Sequence, residues 1–165
     1  MAVLPIRSLP DPLLRQKARK VSTIYSSTQR LIDDMVETMQ QANGVGLAAP
    51  QVGAPVRVVV LQMPGEEPMA IINPEIVKRS GEREVPEACL SVPGYAGEIK
   101  RSISITVKGR DRRGKAIRLK AIGLMAQALE HEIGHLNGVL YIDHVESPDR
   151  LHKVEPGVQD EATSI

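Results

Sequence analysis

Gln127-Ala128-Leu129-Glu130-His131-Glu132-Ile133-Gly134-His135-Leu136-Asn137-Gly138 is the stretch from which the rest of the chain is read. Two histidines four residues apart on an α-helix lie one turn apart on one face. Both imidazoles can then reach a single metal ion. Glu132 sits between them in sequence and can face the open side of that ion. This is the His-Glu-x-x-His arrangement, in which the histidines bind and the glutamate acts as general base. The helical setting is present. Leu124, Ala128, His131 and His135 recur at spacings of four, three and four, and Met125, Leu129 and Leu136 form a second apolar row. A helix apolar on both sides is a buried one, and Asn137-Gly138 supplies its stop signal. Taken alone, the pattern also fits a buried helix whose histidines are only hydrogen-bonded.

At 165 residues the chain is long enough for one domain, 1–165, with a full core. Hydrophobic residues make up 42 %, with no Phe, no Trp and three Tyr, so the core has to be aliphatic. A net charge of +1 argues against a DNA-binding or general nucleic-acid-binding protein. No apolar run approaches transmembrane length and the N-terminus does not read as a secretory signal, so no membrane association is expected. The single Cys excludes an internal disulfide and fits a reducing, cytoplasmic compartment. It is free for chemistry or for packing.

Leu9-Pro10-Asp11-Pro12 marks a turn. A first helix is expected from Ser27 to Asn43, where Leu31, Ile32, Met35, Val36 and Met39 form an amphipathic stripe and Asn43-Gly44 ends it. The segment Gly44-Val45-Gly46-Leu47-Ala48-Ala49-Pro50-Gln51-Val52-Gly53 has three glycines and no charge, so its backbone can approach another molecule closely. It lacks the Lys and Ser/Thr of a phosphate loop. It reads either as a tight connection or as a site segment, in which Gln51 can donate its amide to a carbonyl oxygen. The middle of the chain reads as strands. These are Val56–Gln62, Met69–Asn73, a hairpin over Ile76–Pro86 turning at Ser80-Gly81, Arg101–Lys108 with Ile103, Ile105 and Val107 on one face, and Ala116–Leu119. Helix, strands, helix is the order of an α+β fold with mainly antiparallel sheets packed around the metal-binding helix.

Cys89 lies among these strands, in Glu87-Ala88-Cys89-Leu90-Ser91-Val92-Pro93-Gly94. A lone Cys is commonly a buried small hydrophobe. Two histidines, however, need a third protein ligand for an open catalytic site, and a thiolate suits. Asp143, His144 and Glu146, just beyond the helix, are the competing third ligands.

The blocks Gly44–Gln51, Glu87–Ser91 and His131–His135, in this order and at these separations, together resemble peptide deformylase. The resemblance covers nearly the whole chain. It implies a mainly antiparallel α+β fold and removal of the formyl group from the N-terminal methionine of nascent peptides, releasing formate. It implies Cys89, His131 and His135 as metal ligands and Glu132 as general acid/base. Gln51 and the Leu90 backbone N–H would form the oxyanion hole. Backbone at Val45 and Gly46, and the strand near Ala88, would hold the peptide as an added strand, and Arg101 would lie on the substrate side. The metal implied is Fe²⁺, with Zn²⁺, Ni²⁺ or Co²⁺ as replacements. Three positions depart from the family's usual pattern: Ala88 for Gly, Gly134 for Asp and Glu130 for Gln.

Residues 100 to 120 hold nine Lys/Arg against one acid, Asp111. This reads as a solvated strand pair or as a surface facing ribosomal RNA near the peptide exit. The tail after Val145 is short and rather acidic, a poor candidate for that contact.

Overall fold

Val58-Val59-Val60-Leu61 forms a strand buried at every position, and the layers on its two sides organise the molecule. The computed structural model describes residues 2–154 and 163–165, so residues 155–162 of the acidic tail lie outside the described residues. Successive strand side chains point to opposite faces. Val58 and Val60 join Ile32, Met35 and Met39 of helix α1 (Ser26–Gln41). Val59 and Leu61 join Ala126, Leu129 and Ile133 of helix α2 (Gly123–Leu136). A strand covered on both faces needs an unbroken apolar run, which is what the sequence carries there.

The strands are β1 (Gly46–Ala48), β2 (Val58–Leu61), β3 (Met69–Ser80), β4 (Arg83–Ala88), β5 (Tyr95–Arg101), β6 (Ser104–Arg110), β7 (Ala116–Ile122), β8 (Leu151–Lys153) and β9 (Thr163–Ser164). They form a five-stranded sheet in the order β1-β2-β3-β6-β7 and a four-stranded sheet in the order β8-β5-β4-β9. Every pairing is antiparallel except that of β4 with β9. Helix α2 packs against β1, β2 and β7 of the larger sheet and β5 of the smaller, so the histidine helix lies where the two sheets meet. A third apolar cluster, including Val85, Cys89, Ile99 and Tyr141, fills the smaller sheet's side. The α+β architecture expected from the element order is therefore the one observed.

Two local expectations are corrected. The turn at Ser80-Gly81 exists, with Gly81 at φ +70, but its arms do not pair with each other. β3 pairs with β2 over Met69–Ile72 and with β6 out to Ser80, and after Gly81 the chain crosses to the other sheet, where β4 pairs with β5. The strand expected over Arg101–Lys108 is also broken. β5 ends at Arg101 and β6 begins at Ser104. Glu130 of α2 takes the Ser102 N–H at 2.7 Å and holds the crossing in place. Ile103 is consequently 48 % exposed, while Ile105 and Val107 are buried. The two crossings touch: a Cβ on Gly81 would stand 2.7 Å from Ile103 Cδ1, so only glycine fits that turn without displacing Ile103.

Both helix stops fall where the sequence places them. Asn43 adopts φ +55 after α1. After α2, Gly138 at φ +74 lets the Gly138 and Val139 N–H groups bond the His135 and Gly134 carbonyls.

Candidate metal centre

β4 delivers the chain to Cys89, one residue past its end, and α2 brings His131 and His135 to the same point. Cys89 Sγ is 3.3 Å from His135 Nε2, and the two Nε2 atoms are 3.1 Å apart. The three donor atoms all lie within 4.8 Å of one another, and all three residues are buried. Donors roughly 2.0–2.3 Å from one tetrahedral ion stand about 3.3–3.6 Å apart, so the spacing fits a shared cation. Among the described residues no other group of His, Cys, Asp or Glu converges in this way.

The direction of His131 is set by Glu87. Its Nδ1 is paired with Glu87 Oε1, so the proton sits on Nδ1 and the Nε2 lone pair turns to the centre. Glu87 also accepts from Arg101, Nε at 3.0 Å and Nη2 at 2.6 Å, and from Gln127 Nε2 at 3.2 Å. Burial pushes the Glu87 carboxyl up, but His131 and the Arg101 guanidinium more than reverse this and hold it at about 2. Burial, with His131 beside it, keeps His135 neutral, the form that binds metals. Burial likewise pushes the Cys89 thiol up, with the Glu132 and Glu87 carboxylates adding to the effect. A bound cation acts in the opposite direction and favours the thiolate. The donor set therefore fits a divalent metal better than it fits a metal-free core.

Glu132 lies between the donor cluster, where its charge acts on Cys89, and strand β1. A Cβ on Gly46 would stand 2.6 Å from Glu132 Oε2, so the carboxylate lies directly against the β1 backbone. Neither Glu132 oxygen has a hydrogen-bond partner among the described residues. Burial raises its carboxyl well above the usual range, Glu87 adds to this, and Arg101 opposes it. Gln51 sits in a short 3-10 helix, Ala49–Val52, just after β1. Its Oε1 accepts the Ala48 N–H at 2.9 Å, which turns Nε2 toward the centre. Nε2 donates to Ser91 Oγ at 3.0 Å and lies 3.8 Å from Cys89 Sγ. The Leu90 N–H has no partner among the described residues.

Val45, Gly46 and Ala88 border the same region. β1 is an edge strand of the larger sheet. Ala88 closes β4 in ordinary extended backbone, so its methyl group meets no conformational penalty. Arg101 is placed differently from the sequence expectation. It is buried, and its described hydrogen bonds go to Glu87 rather than outward. The competing third ligands are engaged elsewhere. Asp143 makes two bonds to Arg15, at 2.6 and 3.1 Å, Glu146 pairs with Lys100, and His144 is exposed.

Three residues of this centre escape the sequence reading. Glu87 supports His131, the Ser91 N–H donates to Cys89 Sγ at 3.4 Å, and the Tyr141 ring stacks on His131 with centroids 6.2 Å apart. Only Glu87 leaves a signal. It follows Val85 at the next inward position of β4, and an acid on the buried face of a strand is rarely idle.

Comparison with known proteins agrees with the geometry. The family model described as polypeptide deformylase matches residues 3–151. A peptide deformylase of Dehalococcoides mccartyi is 57 % identical over 157 residues, covering 94 % of each chain. The crystal structure of a peptide deformylase from Legionella pneumophila aligns at TM-score 0.87 and 46 % identity over 90 % of this chain and 89 % of that one. One from Synechococcus elongatus, in complex with actinonin, aligns at 0.86 and 39 % over 89 % and 81 %. With a matched family model spanning most of its length and a Cys-His-His centre on the His-Glu-x-x-His helix, this chain belongs to the peptide deformylase family.

Proposed function

We propose that residues 1–165 act as one catalytic domain in which Cys89, His131 and His135 hold the metal that deformylation requires. The chain is a hydrolase that removes the N-formyl group from the terminal methionine of newly made peptides and releases formate. The observation that carries the site assignment is the convergence of these three donors near a buried Glu132 whose oxygens have no hydrogen-bond partner among the described residues. Held by Cys89, His131 and His135, a divalent ion would supply Lewis-acid chemistry and would lower the pKa of a bound water toward neutrality. Fe²⁺ is the proposed native ion, replaceable by Zn²⁺, Ni²⁺ or Co²⁺, since all accept imidazole and thiolate.

The chain's own groups supply the rest. Glu132, as its carboxylate, takes a proton as water attacks the formyl carbon, and its dry pocket favours holding that proton. It then returns that proton to the departing methionine nitrogen. Gln51 Nε2 has two hydrogens, and Ser91 Oγ uses one. The other points to Cys89 Sγ at 3.8 Å, a long contact that it would exchange for the developing oxyanion, beside the Leu90 N–H, which has no partner among the described residues. Val45, Gly46 and Ala88 offer backbone on either side of an extended peptide. Arg101 is assigned to Glu87 and through it to His131, not to the substrate.

Formate release from formyl-Met-Ala-Ser, compared with cleavage of the unformylated peptide, tests this reading. Cys89→Ala should lose most bound metal and essentially all turnover, because two histidines leave the site underfilled. Unchanged metal content in Cys89→Ala would rule out the ligand set.

The same reading puts the protein in the bacterial cytoplasm. No described helix is long and apolar enough to cross a membrane. A ribosomal contact through the 100–120 surface is supported by Arg110, Arg113, Lys115, Arg118 and Lys120, all exposed on β6, β7 and their turn. Arg112 is no part of it, being paired with Asp33 at 2.8 Å and bonded to Gln29. Changing Arg110, Arg113 and Lys115 to Glu should weaken salt-sensitive co-sedimentation with ribosomes.

A further inference from the structure

The free edge of β4 is already taken by the chain itself. Thr163 and Ser164 pair with Glu87 and Ala88 as the parallel strand β9. The Ile165 N–H then donates to the Ala88 carbonyl at 3.1 Å. Ile165 has no exposed surface and belongs to the apolar cluster of Ala128, Leu129 and Ile133, the α2 residues around His131 and Glu132; Val45 packs against that cluster. Three residues thus combine a backbone ladder with one apolar anchor, on the segment that leads into Cys89. This is how a peptide adds to a sheet edge, with the ladder giving affinity and a side-chain pocket giving selectivity.

It is also the edge assigned above to the peptide substrate. One strand edge offers one set of N–H and carbonyl groups, so the two occupants exclude each other. We propose that residues 163–165 compete with the peptide substrate for the β4 edge, so that the chain carries its own reversible competitor. This inference rests on the substrate placement in the proposed function. Because β9 runs parallel to β4, it approaches Cys89 with Ile165 leading. A formylated substrate has to lead with its amino end, so it runs the other way along β4. The segment therefore fills the groove without presenting a formyl group. Being tethered, it acts at a high local concentration, and the apparent substrate affinity falls by the fraction of time the edge is free.

Kinetics with formyl-Met-Ala-Ser test this on three metal-loaded proteins: the full chain, a chain ending at Val154, and Ile165→Asp. Both variants should show KM about three- to tenfold lower with kcat unchanged. A heptapeptide of the 159–165 sequence, added to the shortened chain, should raise KM again without changing kcat. Equal KM in all three proteins, or an effect on kcat alone, overturns the proposal while leaving the deformylase reading intact. Inert proteins would instead sink that reading. Binding of the labelled heptapeptide then still decides whether this edge takes the segment. The shortened chain should bind it at least about tenfold more tightly than the full chain, and equal binding overturns the proposal.

Discussion

Glu87 holds His131 and Arg101 at once: Oε1 is paired with His131 Nδ1 and Arg101 Nη2, and Oε2 receives Arg101 Nε. All three side chains are buried, so the charges of Glu87 and Arg101 have few other partners. The arrangement makes the orientation of His131, a proposed metal ligand, depend on Glu87, which is not one of the three converging donors.

Glu87→Gln tests that dependence. The amide oxygen can still accept from Nδ1, but Arg101 is left as a buried cation without its counter-charge. Metal affinity, titrated against a competing chelator, should fall about 10- to 100-fold, the usual range when a ligand's supporting partner is lost. Unchanged affinity would mean that α2 alone orients His131.

Gly46 and Glu132 form a second dependent pair. Gly46→Ala places a methyl carbon 2.6 Å from Glu132 Oε2, too close for contact, so the carboxylate has to move. Metal content should stay at the parent level, because neither residue is a proposed ligand. Turnover should drop about 100-fold, the scale for a misplaced catalytic group, and Glu132→Gln should drop it at least as far. Full activity in Gly46→Ala would remove Glu132 from the proton-transfer role.

Departures from the family's usual pattern should be tolerated. Ala88 is extended, and a Cβ on Gly134 would face the Val139 carbonyl at 3.3 Å, away from the donor cluster. Gly134→Asp would bring a carboxylate toward that carbonyl and should lower Tm, although it removes a helix-interior glycine. For both Ala88→Gly and Gly134→Asp, kcat/KM should stay within about tenfold of the parent, or 1.4 kcal/mol. Glu130, the third departure, bonds Ser102 and Arg79, and its loss should show in stability rather than in rate.

Asp143 supplies a pH test away from the metal. Burial raises its carboxyl, but the Arg15 bonds and the Leu140 N–H outweigh this, so it titrates below the usual 3.8. A folded-state value below the unfolded one contributes stability above about pH 4 that disappears as pH falls through the folded value. Asp143→Asn should therefore melt below the parent at pH 7, by at most about 3 °C for a pair this exposed. The gap should close below about pH 4 in metal-free protein. A gap that persists there would assign the loss to packing.

The sequence by itself determined what depends on neighbours along the chain. Helical periodicity puts His131 and His135 on one face, Asn43-Gly44 and Asn137-Gly138 end the two helices, and the apolar run Val56–Gln62 marks the strand observed at Val58–Leu61. Strand partners were decided only by the tertiary structure, because pairing depends on which edges are already occupied. β3 pairs with β2 and β6 while β4 pairs with β5, so the two arms of the expected hairpin lie in different sheets. The surroundings of the histidine pair belong to the same category. Cys89, 42 residues before His131, comes within reach because β4 ends beside α2, while Asp143, closer in sequence, is held by Arg15. Glu87 beneath His131 and residues 163–165 on the β4 edge follow the same rule: burial and strand register bring together groups whose separation in sequence carries no trace of the contact.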